Sequence, residues 1–205
     1  MRILIVAATP GECTLNLFQF QHLEIDTLIT GAGIAATAYQ LGKVLRSGEY
    51  DLAINIGIAG SFNREITLGE VVHVIEDRFS DFGAEDGDQF LSASSIGLSD
   101  EEMYLPTYEI SNLTLRKVKA ITVNTVHGEE GSIQSMINSL NPDIETMEGA
   151  AFFFVCKMES TPCLQIRAIS NNIERRNRNN WNIPLAIKNL EKNINNFLAT
   201  LNNSN

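Results

Sequence analysis

The sequence predicts an α/β sandwich, on two observations. Short runs rich in Ile, Val and Leu alternate with stretches whose apolar residues recur at helical spacing. Two of those runs end on glycine pairs, Gly31-Ala32-Gly33 and Gly57-Ile58-Ala59-Gly60, where a strand gives way to a turn. The 205 residues suit one domain spanning 1–205, and a hydrophobic share of 44% is enough for a sizeable core.

Taken in order, Ile3 to Ala8 is a first buried strand. It is too short for a signal peptide or a membrane span, and Pro10-Gly11-Glu12 stops it. Ile25 to Thr30 is the second strand. Ile34 to Ser47 is a helix, because Ala35, Ala38, Leu41, Val44 and Leu45 fall on one face. Leu52 to Ile56 is an apolar strand ending at Gly57. Gly69 to Glu76 and Val118 to Val123 are further strands, and Ile133 to Leu140 is helical. Ala150 to Met158 is so apolar that a helix there must be buried on most sides. Leu164 to Ile169 is the last strand, and Pro184 to Leu201 an amphipathic helix. The stretch 80–109 is polar and lacks periodicity. It reads as a long functional loop or flap with some short structure.

Lys plus Arg number 15 against 25 Asp plus Glu, a formal charge of −10. An acidic surface repels phosphate backbones, which argues against nucleic acid as a partner, and any anionic ligand must be held by local cations. Cys13, Cys156 and Cys163 show no paired spacing and read as reduced thiols of a cytoplasmic protein. His22, His73 and His127 are scattered without metal-ligand spacing. No metal, no organic cofactor and no membrane contact are expected.

Gly31-Ala32-Gly33-Ile34-Ala35-Ala36 matches the dinucleotide fingerprint G-x-G-x-x-A. The fingerprint also needs an acid at the end of the next strand to hold the ribose. Here that strand ends in Asn55-Ile56-Gly57, and Asp51 precedes it. A tight strand-to-helix turn is the better reading, and a nicotinamide oxidoreductase is disfavoured.

Two further stretches are more informative: Glu145-Thr146-Met147-Glu148-Gly149-Ala150-Ala151, and Gln165-Ile166-Arg167-Ala168-Ile169-Ser170-Asn171. With Glu12 after the first strand and Gly57 to Gly60 after the third, their order resembles the purine nucleosidase and nucleoside phosphorylase family over nearly the whole chain. Asp81-Phe82-Gly83-Ala84-Glu85, Asn124-Thr125-Val126-His127-Gly128 and Asn177-Arg178-Asn179-Asn180-Trp181 are similar to its futalosine-cleaving branch. The resemblance implies a three-layer sandwich with a mixed sheet flanked by helices, a small-molecule nucleoside substrate and a homo-oligomer.

It also implies roles. Glu12 is the general base for a water, although on its residue type alone it reads as a loop carboxylate or helix-cap partner. Glu148 binds the ribose hydroxyls beside a developing sugar cation, and Met147 packs on the sugar. A charge opening so apolar a helix needs a reason beyond the helix dipole. Ala59 and Gly60 let the backbone approach the ligand, and Thr125 and Val126 lie near the purine. Asn171 stands where adenine-cleaving members carry Asp. An amide donates to purine N7 or to a 6-oxo group, which points to hypoxanthine. Arg176 or Arg178 would hold the carboxylate of the 5′ arm, against the ordinary reading of Arg175, Arg176 and Arg178 as a solvated face. Bulky Ile58 argues for water rather than phosphate as the nucleophile.

Release of hypoxanthine from futalosine, a menaquinone-pathway step, is therefore the expected activity. A methylthioadenosine or adenosylhomocysteine nucleosidase and a purine nucleoside phosphorylase are the alternatives within the family. A non-catalytic nucleoside-binding protein is a third, against which the retention of both Glu12 and Glu148 speaks.

Overall fold

The computed structural model describes residues 1–15, 20–87, 89–109 and 114–203. Three parallel strands form its flat part. β1 (Arg2–Ala7) lies between β2 (Glu24–Ile29) and β3 (Leu52–Ser61). Beyond β3 the sheet takes in β4 (Val71–Phe79), β7 (Arg116–Thr122), β8 (Ile144–Thr146) and β9 (Cys163–Asn172). It curls into a closed ring of strands. β3 pairs with β8, β8 with β7, β7 with β4, β4 with β9, and β9 again with β3. The β3–β8 and β4–β9 pairs are antiparallel and the other ring pairs parallel, so the sheet is mixed.

Both faces of the sheet are covered, which is why its strands read as continuous apolar runs rather than clean alternation. On one face α1 (Ile34–Ser47) and α3 (Gly149–Met158) pack Leu41, Leu45, Phe152 and Phe153 against Leu4, Val6, Val72 and Val74. On the other, α4 (Ile183–Asn203) packs Leu190, Ile194, Phe197 and Leu198 against Ile3, Ile5, Ile54 and Ile166. These are the three layers of the sandwich. α2 (Glu130–Leu140) buries no residue and lies on the surface.

Two departures from the sequence expectation appear. β3 does not stop at Ile56 but runs through the glycines to Ser61, and β9 continues to Asn172. The reason is mutual pairing: the two strands hydrogen-bond along their whole length, with a bulge at Ala59/Gly60 that absorbs the bend. Second, β8 has three residues, too short to show a period. The short structure expected in the flap stretch is an antiparallel ribbon, β5 (Gly83–Asp86) with β6 (Gln89–Ser92). A Cβ on Gly83 would collide with the Leu91 carbonyl, so that position requires glycine. A bridge between Asp77 and Tyr104 ties the end of the stretch back to β4.

Candidate active site

A cavity of about 560 Å³ opens where β1, β3, β8 and β9 meet, a size that suits a small-molecule site. Glu12, Ala59, Gly60, Val126, Met147, Glu148, Asn171 and Arg176 all line it. Thr125 is exposed outside the lining, as is Arg178. Arg176 and Arg178 both stack on the Trp181 ring, at 5.4 and 5.8 Å, and Trp181 itself lines the cavity. Phe79 and Phe82 pack edge-on against each other near Tyr104, away from this cavity.

Glu12 ends the short 3-10 helix Pro10–Glu12. Its Oε1 accepts from the Ile58 amide at 3.0 Å, and its Oε2 accepts from the Thr9 amide at 3.1 Å and the Thr9 hydroxyl at 2.7 Å. These donors hold the carboxylate in one orientation over β3. Gly57 lies beneath it. A Cβ there would stand 2.8 Å from Glu12 Oε1 and collide with Arg167 Nη1, so Glu12 and Arg167 come together across a glycine that leaves the space open.

Glu148 is the N-cap of α3 and only 6% exposed. Its side chain does not cap its own helix. Oε1 accepts from the Gly33 amide at 3.1 Å, and Oε2 lies 3.6 Å from Arg167 Nη1. The glycine turn that mimics a dinucleotide fingerprint therefore serves the carboxylate. Gly31 and Gly33 have φ of +84° and +96°, a backbone that only glycine adopts freely, and this turns the Gly33 amide toward Glu148.

Arg167 is fully buried. A buried cation needs partners, and β9 and its neighbours supply them. Its Nε donates to Gln165 Oε1 at 2.8 Å, and its Nη2 donates to Asn55 Oδ1. Gln165 Nε2 in turn donates to Asp77 Oδ2 at 3.0 Å, and the Thr122 hydroxyl donates to Asp77 Oδ1 at 2.9 Å. Burial pushes the Asp77 carboxyl up to about 6, while the bonds from Gln165 and Thr122 and the charge of Arg167 pull the other way. Among the described residues Arg167 Nη1 finds no hydrogen-bond partner; it lies 3.6 Å from Glu148 Oε2 and meets Glu12 Oε1 across Gly57.

Asn171 sits beside Gly60 in the β3–β9 register. The Ser170 hydroxyl donates to its Oδ1 at 2.7 Å, and its Nδ2 donates to the Asn172 carbonyl at 3.1 Å. The amide orientation is thereby assigned, and the second Nδ2 proton is left for a ligand.

Sequence reasoning missed Arg167, Gln165, Asn55 and Asp77 as parts of this arrangement. A signal was present. Asn55, Gln165 and Arg167 are polar residues inside otherwise apolar strands, and Gln165 and Arg167 are two apart, hence on one face.

A model of the phosphorylase superfamily matches residues 27–203. The chain belongs to the phosphorylase superfamily. Among similar members are the futalosine hydrolase of Streptomyces coelicolor, 28% identical over 174 residues (79% of this chain and 73% of that one), and that of Acidothermus cellulolyticus, 28% identical over 180 residues (81% and 72%). The structure of a futalosine hydrolase of Helicobacter pylori superposes with a TM-score of 0.82 at 16% identity, covering 98% of each chain. A methylthioadenosine/adenosylhomocysteine nucleosidase of Colwellia psychrerythraea, solved with adenine, gives 0.79 at 19% identity, covering 97% of this chain and 95% of that one. Within the superfamily, enzymes named for different nucleosides thus share this fold, and the fold alone does not choose the substrate.

Proposed function

We propose that this phosphorylase-superfamily enzyme hydrolyses the N-glycosidic bond of futalosine and releases hypoxanthine. The observation that carries the choice of base is the fixed amide of Asn171. An amide held by Ser170 cannot hand over a proton as a carboxylic acid can, but its free N–H suits a 6-oxo group or N7. The futalosine hydrolases among the similar proteins point the same way.

The reaction follows from the placement of charges. A water between Glu12 and Arg167 Nη1 would donate to the carboxylate and accept from the guanidinium, which positions its lone pair for the anomeric carbon. As the bond to the base lengthens, the ribose becomes a cation, and Glu148 lies ready to hold its hydroxyls and its charge. Arg176, stacked on Trp181 at the rim, is the candidate for the carboxylate of the 5′ arm. Glu12 occupies the Ile58 and Thr9 amides, which keeps them from an anion and favours water over phosphate as the nucleophile.

A homo-oligomer fits a second hollow, where Phe82, Leu98 and Phe154 leave apolar surface exposed around Tyr104.

The direct test is incubation with futalosine, inosine and methylthioadenosine, with and without phosphate. Hypoxanthine and a free sugar should form from futalosine at a rate indifferent to phosphate. A sugar 1-phosphate among the products would overturn hydrolysis.

Base choice has its own test. Wild-type kcat/KM should favour futalosine over its 6-amino counterpart by a margin approaching about 10⁴-fold. Asn171→Asp should narrow that margin while lowering overall activity. Equal cleavage of the two by the wild type would remove Asn171 as the selector.

A further inference from the structure

The cavity contains a second polar pair that the reaction above does not use. Glu145, on β8, is 4% exposed, and both its oxygens turn to one residue. Oε2 lies 2.7 Å from the His127 ring Nδ1, and Oε1 accepts from the His127 amide at 3.1 Å. Both residues line the cavity. Burial raises the Glu145 carboxyl, while the bonds from His127 oppose the shift. A buried carboxylate devoted to orienting one imidazole is costly for a purely structural role, since an apolar pair would fill the same volume without desolvating a charge.

Its position relative to Asn171 is set by strand register. Gly60 of β3 is paired with Asn171 of β9 on one side and with Glu145 of β8 on the other. Directly paired residues project to the same face of a sheet. Gly60, Asn171, Glu145 and His127 all line the one cavity, which therefore reaches from the Asn171 amide to the Glu145–His127 pair. A Cβ on Gly60 would stand 3.0 Å from Ile173 Cγ1 and 3.2 Å from Asn171 Nδ2, so glycine there lets both side chains close in beside the cavity. A planar base laid over Gly60 is flanked by both groups.

We propose that His127, oriented by Glu145, is a specificity-determining residue that accepts a hydrogen bond from the N1–H of a 6-oxopurine. The carboxylate of Glu145 accepts from both the backbone amide and the ring, which assigns the proton to Nδ1 and leaves the lone pair on Nε2. Among the described residues Nε2 has no hydrogen-bond partner, and it is not one of the buried side-chain atoms left without one. An acceptor in the wall of the cavity demands a donor on the ligand. A 6-oxopurine whose N7 and O6 turn to Asn171 has one ring donor left, N1–H. In a 6-aminopurine N1 is itself an acceptor, and the two lone pairs would oppose each other. Asn171 and His127 thus read two edges of the same lactam, and an enzyme with both rejects adenine twice.

This inference rests on the nucleosidase reading, and the experiment separates the two. Futalosine and its 6-amino counterpart are assayed with wild type, His127→Phe and Glu145→Gln, with folding checked by thermal melting. Failure of the wild type to cleave either nucleoside refutes the nucleosidase reading. With a cleaving wild type, His127→Phe should lose about ten- to a hundredfold in kcat/KM for futalosine, as expected when one partner of a buried hydrogen bond goes. The 6-amino compound should gain rather than lose, because the lone pair that opposes its N1 is gone, so the preference narrows. Glu145→Gln keeps the volume but can donate its amide N–H to Nδ1, which moves the ring proton to Nε2 and turns the acceptor into a donor. It should therefore shift the preference toward the 6-amino compound. If both variants lower the two substrates equally, or leave their ratio at the wild-type value, His127 does not read the base.

Discussion

Glu12→Gln should reduce kcat by about 10² to 10⁴, the range expected for loss of a positioned general base, with KM changed only a few-fold. The amide is nearly isosteric, and its oxygen can still accept from the Ile58 amide. Its nitrogen, however, then faces the Thr9 amide and hydroxyl, both of which donate to Glu12 in the native protein. The variant therefore loses proton affinity at the reacting position and loosens one of two tethers, but the walls around sugar and base stay. Glu148→Gln should behave differently. Glu148 is placed to hold the ribose before and during bond cleavage, so both KM and kcat suffer. Steady-state kinetics of the two variants, with near-wild-type turnover in Glu12→Gln as the outcome that sinks the mechanism, decide the point.

The second large effect concerns stability. Gln165→Met removes both the acceptor for Arg167 Nε and the donor to Asp77, so two buried groups lose partners in one substitution. Broken buried ionic networks cost about 3–5 kcal/mol. For a chain of this size that is a fall in Tm of roughly 10 °C. The double substitution Asp77→Asn with Gln165→Glu should restore most of it. The new amide at position 77 would accept from the Thr122 hydroxyl through its oxygen and donate through its nitrogen to the new carboxylate at position 165. That carboxylate would in turn accept from Arg167 Nε, with the total charge unchanged. Thermal melting of wild type, the Met variant and the double variant is the measurement. A double variant as unstable as the Met variant would show that the relay of donors and acceptors is not what holds this region.

The pH dependence follows from the same network. The Asp77 carboxyl is pushed up to about 6 in the folded protein, above the value of about 3.9 in an unfolded chain. The folded state thus binds this proton more tightly. The associated stability is fully present below the unfolded value and is lost as pH rises through about 6. Stability measured from about pH 4 to 6 should decline through this group, and Asp77→Asn should flatten that part of the curve. An unchanged slope in Asp77→Asn would assign the decline to other groups.

Local pattern alone determined much of this protein. The apolar runs and their spacing define β1, α1, α3 and α4 to within a few residues, because burial against a sheet leaves a period that short-range reading detects. The missing acid after Asn55-Ile56-Gly57 was enough to set aside a dinucleotide site. Residue types at Glu12, Glu148 and Asn171, read through the family resemblance, were enough to nominate the chemistry.

Only the tertiary structure decided the rest. Nothing local says that β3 and β9 run on past Ile56 and Ile169, because that length comes from pairing between strands more than a hundred residues apart. β8 is three residues long and exists because β3 and β7 lie on either side of it. The same ring closure buries Arg167 and brings Asp77, Gln165 and Asn55 around it, and it seats Glu145 beside Gly60 and Asn171. Charged and amide side chains carry no periodic signal of their own. Their partners are chosen by distance in space, and that distance is fixed only when the sheet closes.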